Sequence, residues 1–250
     1  MQVGFIGAGN MARALARGWG EPVLCTDSGS GRAQALAAEL GGEAVGSNRE
    51  LAERVDLVIL AHKPAQLAEV AWEAAGAAKA VVSLLASTPQ ADLRGAYPGV
   101  PVFRVEPNTA VEVGRGVLVF AEPEVQTEPA LHDRVKELFS RVGTVVEVPE
   151  RLISVAGGLS GVGPAYWALL VEAQVDAAVK RGMPAALATE LILDTMAGTA
   201  ELVRARGGDT LAVRREVASP GGTTARGLAA LERGGVRTAF TDAMDDVVGG

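Results

Sequence analysis

Val3-Gly4-Phe5-Ile6-Gly7-Ala8-Gly9-Asn10-Met11-Ala12 is the stretch from which the rest of the chain is read. A short apolar run ends on a glycine turn, and an amphipathic stretch, Met11 to Trp19, begins at once. Glycine-x-glycine-x-x-alanine between a strand and a helix has a steric logic. Gly7 permits a tight turn, Gly9 lets a diphosphate approach the backbone, and Ala12 lets helix and strand pack closely. The start of the helix then offers free N–H groups and partial positive charge to an anion. Alone such a turn is a weak signal. At the head of an alternating strand-and-helix pattern it implies a seat for a dinucleotide.

That pattern continues outward from the turn. Val23 to Thr26, Val55 to Ala61, Ala80 to Leu84, Val102 to Val105, Val117 to Phe120 and Val142 to Val148 are short apolar runs of the kind buried on both faces of a sheet. Between them, Arg32 to Leu40, Ala65 to Ala75 and Leu131 to Ser140 have helical spacing. Strand and helix in alternation predict an α/β fold of the Rossmann type, a parallel, doubly wound sheet. After Val148-Pro149-Glu150 the strand-like runs stop. Pro164 to Arg181, Pro184 to Ala205, Leu211 to Val217 and Thr223 to Glu232 are predicted helices, with Gly182 and Gly207-Gly208 closing two of them. The expected domains are therefore 1–150, which binds the dinucleotide, and 151–250, small and all-helical. Leu169, Leu170, Ala173, Ala177 and Ala178 give the second domain more apolar helix surface than its length can bury, which points to a second subunit.

Composition removes several classes of function. With 48% apolar and 21% charged residues in 250, the chain is an ordinary globular one. A net charge of -7 leaves no basic footprint for nucleic acid. The single cysteine, Cys25, excludes an internal disulfide and suits a reducing compartment; in an apolar strand it is expected to be inert filling. The N-terminus opens directly into a strand pattern without a basic segment, and no apolar run is seen to approach the ~20 residues of a membrane helix. A cytoplasmic protein without membrane contact is expected. No Cys, His and carboxylate cluster has metal-ligand spacing, so no metal is expected, and His132, in a charged helical stretch, is expected at the surface.

Further residues are placed at strand ends, where ligands of doubly wound sheets bind. Asp27 lies twenty residues after Gly7 and is suited to accept from the ribose hydroxyls of the adenosine half. Ser28, Ser30 and Arg32 follow at once, and their side chains suit a 2'-phosphate. A plain Asp-Ser-Gly turn with a helix cap is the third possibility, and the choice stays open. His62-Lys63-Pro64 follows one strand and Glu106-Pro107-Asn108-Thr109 another, with Asn108 able to bond a nicotinamide ribose or carboxamide. Ser219-Pro220-Gly221-Gly222-Thr223-Thr224 opens a helix with several exposed backbone N–H groups, a seat for a carboxylate by the same physics as the phosphate seat.

Taken in order, these motifs resemble the pyrroline-5-carboxylate reductase family over nearly the whole chain. The resemblance rests on Gly7-Ala8-Gly9-Asn10-Met11, Lys63-Pro64, Pro107-Asn108-Thr109 with Val113-Gly114, Ser160-Gly161-Val162-Gly163-Pro164-Ala165-Tyr166, and above all Ser219 to Thr224. It implies a Rossmann domain followed by a helical dimerisation domain, and reduction of 1-pyrroline-5-carboxylate to L-proline by hydride transfer to the cyclic C=N bond. It implies NADPH or NADH as cofactor, with NADPH favoured, and a homodimer that assembles further into a decamer. Cofactor contacts are then expected from Gly7, Gly9, Asn10, Met11, Asp27, Ser28, Arg32, Asn48, His62, Lys63, Pro64 and Asn108. Substrate contacts are expected from Ser219, Gly221, Gly222 and Thr223, with Thr224 at the imine nitrogen. The chain departs from the family's pattern at Glu106, Val162, Asp194 and Asp209. These departures keep two alternatives open: a reductase of the same fold acting on another imine or a hydroxyacid, and a non-catalytic dinucleotide-binding relative.

Overall fold

The computed structural model describes residues 1–123 and 128–249. Gly250, the last residue of the expected second domain, lies outside them. The chain divides into two compact units, Met1–Pro164 and Ala165–Gly250.

The first unit begins β1 (Val3–Ile6), α1 (Asn10–Trp19), β2 (Leu24–Thr26), α2 (Arg32–Leu40), β3 (Glu43–Ala44), α3 (Asn48–Arg54) and β4 (Leu57–Leu60). A 3₁₀ turn, Pro64–Gln66, leads into α4 (Leu67–Ala74), followed by β5 (Val81–Ser83), α5 (Gln90–Ala96) and β6 (Val102–Pro107). A second 3₁₀ turn, Thr109–Val113, connects to β7 (Gly116–Ala121), and α6 (Pro129–Ser140), β8 (Gly143–Val148) and α7 (Ile153–Ser160) complete the unit. The eight strands form one sheet in the order β3-β2-β1-β4-β5-β6-β7-β8.

Side-chain alternation builds a core on each face. Phe5, Leu57, Ile59 and Val82 point to one side, where α1, α2 and α6 supply Leu15, Leu36 and Phe139. Ile6, Val58, Leu60 and Val81 point to the other, where α3, α4 and α5 supply Leu51, Val70 and Leu93. This is why strands with uninterrupted apolar runs were legible. Cys25 is part of the first core, and burial pushes its thiol up to about 11.

Two expectations are corrected in this unit. The sheet is not wholly parallel, because β7 runs antiparallel to β6. The connection between them, 108–115, is shorter than the dozen or more residues that a parallel crossover takes. His132 is half-buried rather than a surface residue: its ring stacks on Phe103 at 5.9 Å, and its Nε2 lies 2.9 Å from the Glu147 carboxylate.

The second unit contains α8 (Gly163–Val179, entering from the first), α9 (Ala185–Ala205), α10 (Thr210–Val217), α11 (Thr223–Arg233) and α12 (Val236–Val248). It has almost no interior of its own. Trp167 is 57% exposed and Leu169 61%, and Leu187, Leu191, Leu193, Leu231 and Phe240 are exposed as well. The helical stretch Glu150–Val179 is long and apolar enough to cross a membrane by length and composition, which corrects the expectation that no run approaches that length. In the chain the stretch comprises a 3₁₀ turn, Glu150–Leu152, then α7, Gly161, Val162 and α8, and α7 packs on β6 and β7. That packing carries the first compact unit to Pro164, beyond the 150/151 boundary placed by loss of strand character.

Candidate active site

The glycine turn is as tight as its sequence requires. Gly7 has φ +102°, and a Cβ there would sit 2.6 Å from the Ala61 carbonyl carbon. Gly7 N donates to Thr26 O at 3.0 Å, and Ala61 N to Ile6 O at 2.8 Å, so the ends of β1, β2 and β4 are tied beneath the turn. Gly9 is the N-cap of α1 without a side-chain cap, and no acidic residue lies in the first helical turn. A Cβ on Gly9 would meet nothing within 4 Å. Open space therefore faces bare amides, which is what an anion requires.

A cavity of about 930 Å³ lies over this turn. Of the expected cofactor residues, Gly7, Gly9, Asn10, Met11, Asp27, Ser28, Arg32, Asn48, His62 and Lys63 line it. Pro64 stands just outside as the first residue of the 3₁₀ turn. Asn108 does not line it. Its Nδ2 donates to Ser160 O at 3.0 Å and its Oδ1 accepts from Val117 N at 3.2 Å, so its amide ties β7 and α7 to the end of β6.

Asp27 is spent on its own loop. Oδ1 accepts from Gly29 N at 2.8 Å, and Oδ2 accepts from Ser30 Oγ at 2.8 Å and Ala33 N at 3.0 Å. Burial pushes this carboxyl up, but the bonds from Ala33, Ser30, Gly29 and Arg32 outweigh that and hold it below its usual range. Ser28 and Arg32 are exposed on the cavity rim, and among the described residues no carboxylate pairs with the Arg32 guanidinium.

His62 Nδ1 lies 2.9 Å from Lys63 O. A carbonyl only accepts, so Nδ1 carries the proton and Nε2 is left as a buried acceptor without a partner among the described residues. Burial lowers the imidazole pKa, against the opposing carbonyl bond, and keeps the ring neutral. An orphaned polar atom in a cavity wall, two small glycines and an uncapped helix together fit a dinucleotide.

Sequence patterns missed part of the wall. Gln66, Glu69, Val70 and Glu73 also line the cavity, as do Thr26, Val45 and Ser47. The first four stand at i, i+3, i+4 and i+7, one helical face, and that spacing was visible in the chain. Ser47 caps α3 by accepting from Glu50 N at 3.2 Å.

The Ser219–Thr224 turn lies in the second unit. Gly221 has φ +70°, and Gly222 is the N-cap of α11 without a side-chain cap or an acid in the first turn. Ser219 O accepts from Gly222 N at 3.0 Å, and Arg226 Nη1 donates to Gly221 O at 2.7 Å, bracing the loop. Thr223 and Thr224 are the first two helical residues, and among the described residues nothing bonds the Thr224 hydroxyl. The neighbouring α10 is different: Asp209 caps it by accepting from Ala212 N at 2.9 Å.

Glu106 does not line the cavity; it is part of a charged clamp. Arg104, 4% exposed, donates to Glu106 at 2.9 Å and to Glu150 at 2.7 Å. Gln90 donates to Glu150 from both its backbone and its side chain. Burial raises the Glu106 pKa against the pull of Arg104, and Glu150 raises it further. Among the described residues no group of three or more His, Cys, Asp or Glu side chains is placed to hold a metal.

Residues 2–87 match the family model described as NADP oxidoreductase, coenzyme F420-dependent, so the first unit is of the class of dinucleotide-dependent oxidoreductases. Residues 150–249 match the model described as pyrroline-5-carboxylate reductase dimerisation. The pyrroline-5-carboxylate reductase of Synechocystis sp. is 37% identical over 98% of this chain and 94% of that protein. Pyrroline-5-carboxylate reductase 3 of Mus musculus is 34% identical over 98% and 92%. Among solved structures, the 1-pyrroline-5-carboxylate reductase of Streptococcus pyogenes superposes with a TM-score of 0.89 at 27% identity, over 99% of this chain and 96% of that one. The Plasmodium falciparum pyrroline carboxylate reductase with NADP bound gives 0.88 at 26%, over 99% and 95%. The chain belongs to the pyrroline-5-carboxylate reductase family.

Proposed function

We propose that this protein reduces 1-pyrroline-5-carboxylate to L-proline, with NADPH as the hydride donor, in the cytoplasm. One observation carries the assignment. A cavity over bare amides at Gly9 and a second run of bare helix-start amides from Thr223 onward occur in one chain of this family, and they suit a dinucleotide and an amino-acid-like carboxylate.

In the first unit the amides of Gly9, Asn10 and Met11 hold the diphosphate, with Gly7 keeping the backbone clear. Asn48, His62, Lys63 and Pro64 complete the seat, His62 Nε2 accepting from a ribose hydroxyl. Asn108 contributes by tying β7 and α7 to the end of β6. NADPH is preferred because both Asp27 oxygens are committed to the loop, while Ser28 and Arg32 are free to take a 2'-phosphate.

When bound, the reduced nicotinamide supplies the hydride that goes to the imine carbon. The turn does the rest. Ser219 and the amides of Gly221 and Thr223 hold the substrate carboxylate, with Gly222, whose N–H is bonded to Ser219 O, shaping the turn beside it. Thr224 Oγ donates to the imine nitrogen, polarising C=N as charge moves onto it; the net proton arrives from solvent. The exposed apolar faces of α8 and α9 pack in a homodimer, and dimers assemble into a decamer.

The test is to mix the purified protein with racemic pyrroline-5-carboxylate and NADPH or NADH and follow absorbance of the reduced nicotinamide. Substrate-dependent oxidation, faster at limiting NADPH than at limiting NADH, is expected. Cofactor binding without turnover would overturn the assignment.

A further inference from the structure

One hydrogen-bonded run on the cavity wall has no part in hydride transfer. Thr26 Oγ1 donates to Asn48 Oδ1 at 2.6 Å, and Asn48 Nδ2 donates to Glu73 Oε2 at 2.8 Å. The run links the end of β2, the start of α3 and the last turn of α4, and all three residues line the cavity.

The bonds left over define what the run can bind. Thr26 has spent its only proton. Asn48 keeps one N–H. Glu73 keeps Oε1, and among the described residues no cation pairs with it. A carboxylate only accepts, so Oε1 calls for a donor. The wall thus presents a free acceptor beside a free N–H. That donor–acceptor pair is the one an amide side chain uses to read the N6 and N7 edge of adenine.

The position suits the base. The dinucleotide assignment above places the diphosphate at Gly9 and the 2'-phosphate at Ser28 and Arg32, both beside the end of β2. The adenosine then lies over that strand end, where Val45 and Val70, both buried, line the same cavity as Glu73. Adenine carries an amine donor at C6. Hypoxanthine carries a carbonyl oxygen there, an acceptor set against a carboxylate.

We propose that Glu73, held in place by Asn48, reads the base of the dinucleotide, accepting the exocyclic amine of adenine and rejecting a purine with a carbonyl at that position. Glu73 is a specificity-determining residue for the cofactor, and Asn48 is both its positioning residue and the donor to N7.

The test rests on binding and needs no turnover. The full-length protein is titrated by calorimetry with NADPH and with its hypoxanthine analogue, in the absence of imine. The parent is expected to bind the analogue roughly tenfold or more weakly, within the range of a good base-edge pair. Glu73→Gln, whose amide can donate to the carbonyl, is expected to close that gap to about twofold; a melting curve checks that the variant is folded. Equal affinity of the parent for the two dinucleotides overturns the proposal even if the variant fails to fold, and so does a gap unchanged in Glu73→Gln. In either case the dinucleotide assignment survives. Failure of the parent to bind NADPH at all overturns both.

Discussion

The two glycine turns of this chain use one physical device in opposite surroundings. At Gly7 to Gly9 the turn is wedged over three strand ends, and the wall facing it is built from α2, α3 and α4 of the same unit. At Gly221 and Gly222 the turn sits among helices whose large side chains, from Trp167 to Phe240, are exposed. The first seat is finished by local packing. The second belongs to a unit that a single chain leaves uncovered, and a partner is needed to bury it. A cofactor of fixed shape suits the sheet, and the proposed substrate seat is the turn in the uncovered unit.

The largest expected effect breaks the first turn and spares the second. Gly7→Val places a branched side chain at φ +102° and against the Ala61 carbonyl. Strain and overpacking together should cost about 2–5 kcal/mol of stability, and NADPH affinity should fall on the order of 100-fold by calorimetry. The oligomer seen by sedimentation should be unchanged; a variant that binds NADPH normally would show that the tight turn is not needed.

A smaller change sharpens the first seat. Arg32→Ala should weaken NADPH binding roughly tenfold, the worth of a charge-assisted bond to phosphate. NADH binding should stay within about twofold of the parent. Equal losses for the two cofactors would place Arg32 away from the 2'-phosphate.

The smallest effect concerns the Arg104, Glu106 and Glu150 clamp. Glu106 has its pKa raised in the fold, so its ionisation costs stability as pH rises from the unfolded carboxyl value, about 4.3, through the folded one. Glu106→Gln removes that cost and should gain on the parent between pH 4 and pH 8, by roughly 2 °C in melting temperature. Ground lost with rising pH would show that Arg104 dominates the carboxyl.

The same contrast explains what could be read without coordinates. β1 was legible to its end residues because a strand buried on both faces is uniformly apolar. α3 was not, since only Leu51 and Ala52 of its seven residues are buried and its signal lies in the Ser47 cap. β3 has two residues and no apolar run. α12 was missed because Thr241, Asp242, Asp245 and Asp246 dilute its pattern. The antiparallel strand β7 follows from a loop length, which hydrophobic periodicity does not report. In the cavity, glycines and strand-end residues stood out by type, whereas Glu73 required knowing which face of α4 looks inward. Asn108 was identified by its neighbours in a motif, yet both ends of its amide are occupied by backbone.

The central claim is that the two turns do separate work, the first holding the cofactor and the second activating the imine. Thr224→Ala tests it most directly, with kcat and the NADPH dissociation constant measured on the same preparation. The account predicts a kcat lower by on the order of 100-fold with NADPH affinity within about twofold of the parent. Full activity in the variant, or a loss of NADPH affinity as large as the loss of kcat, would contradict it.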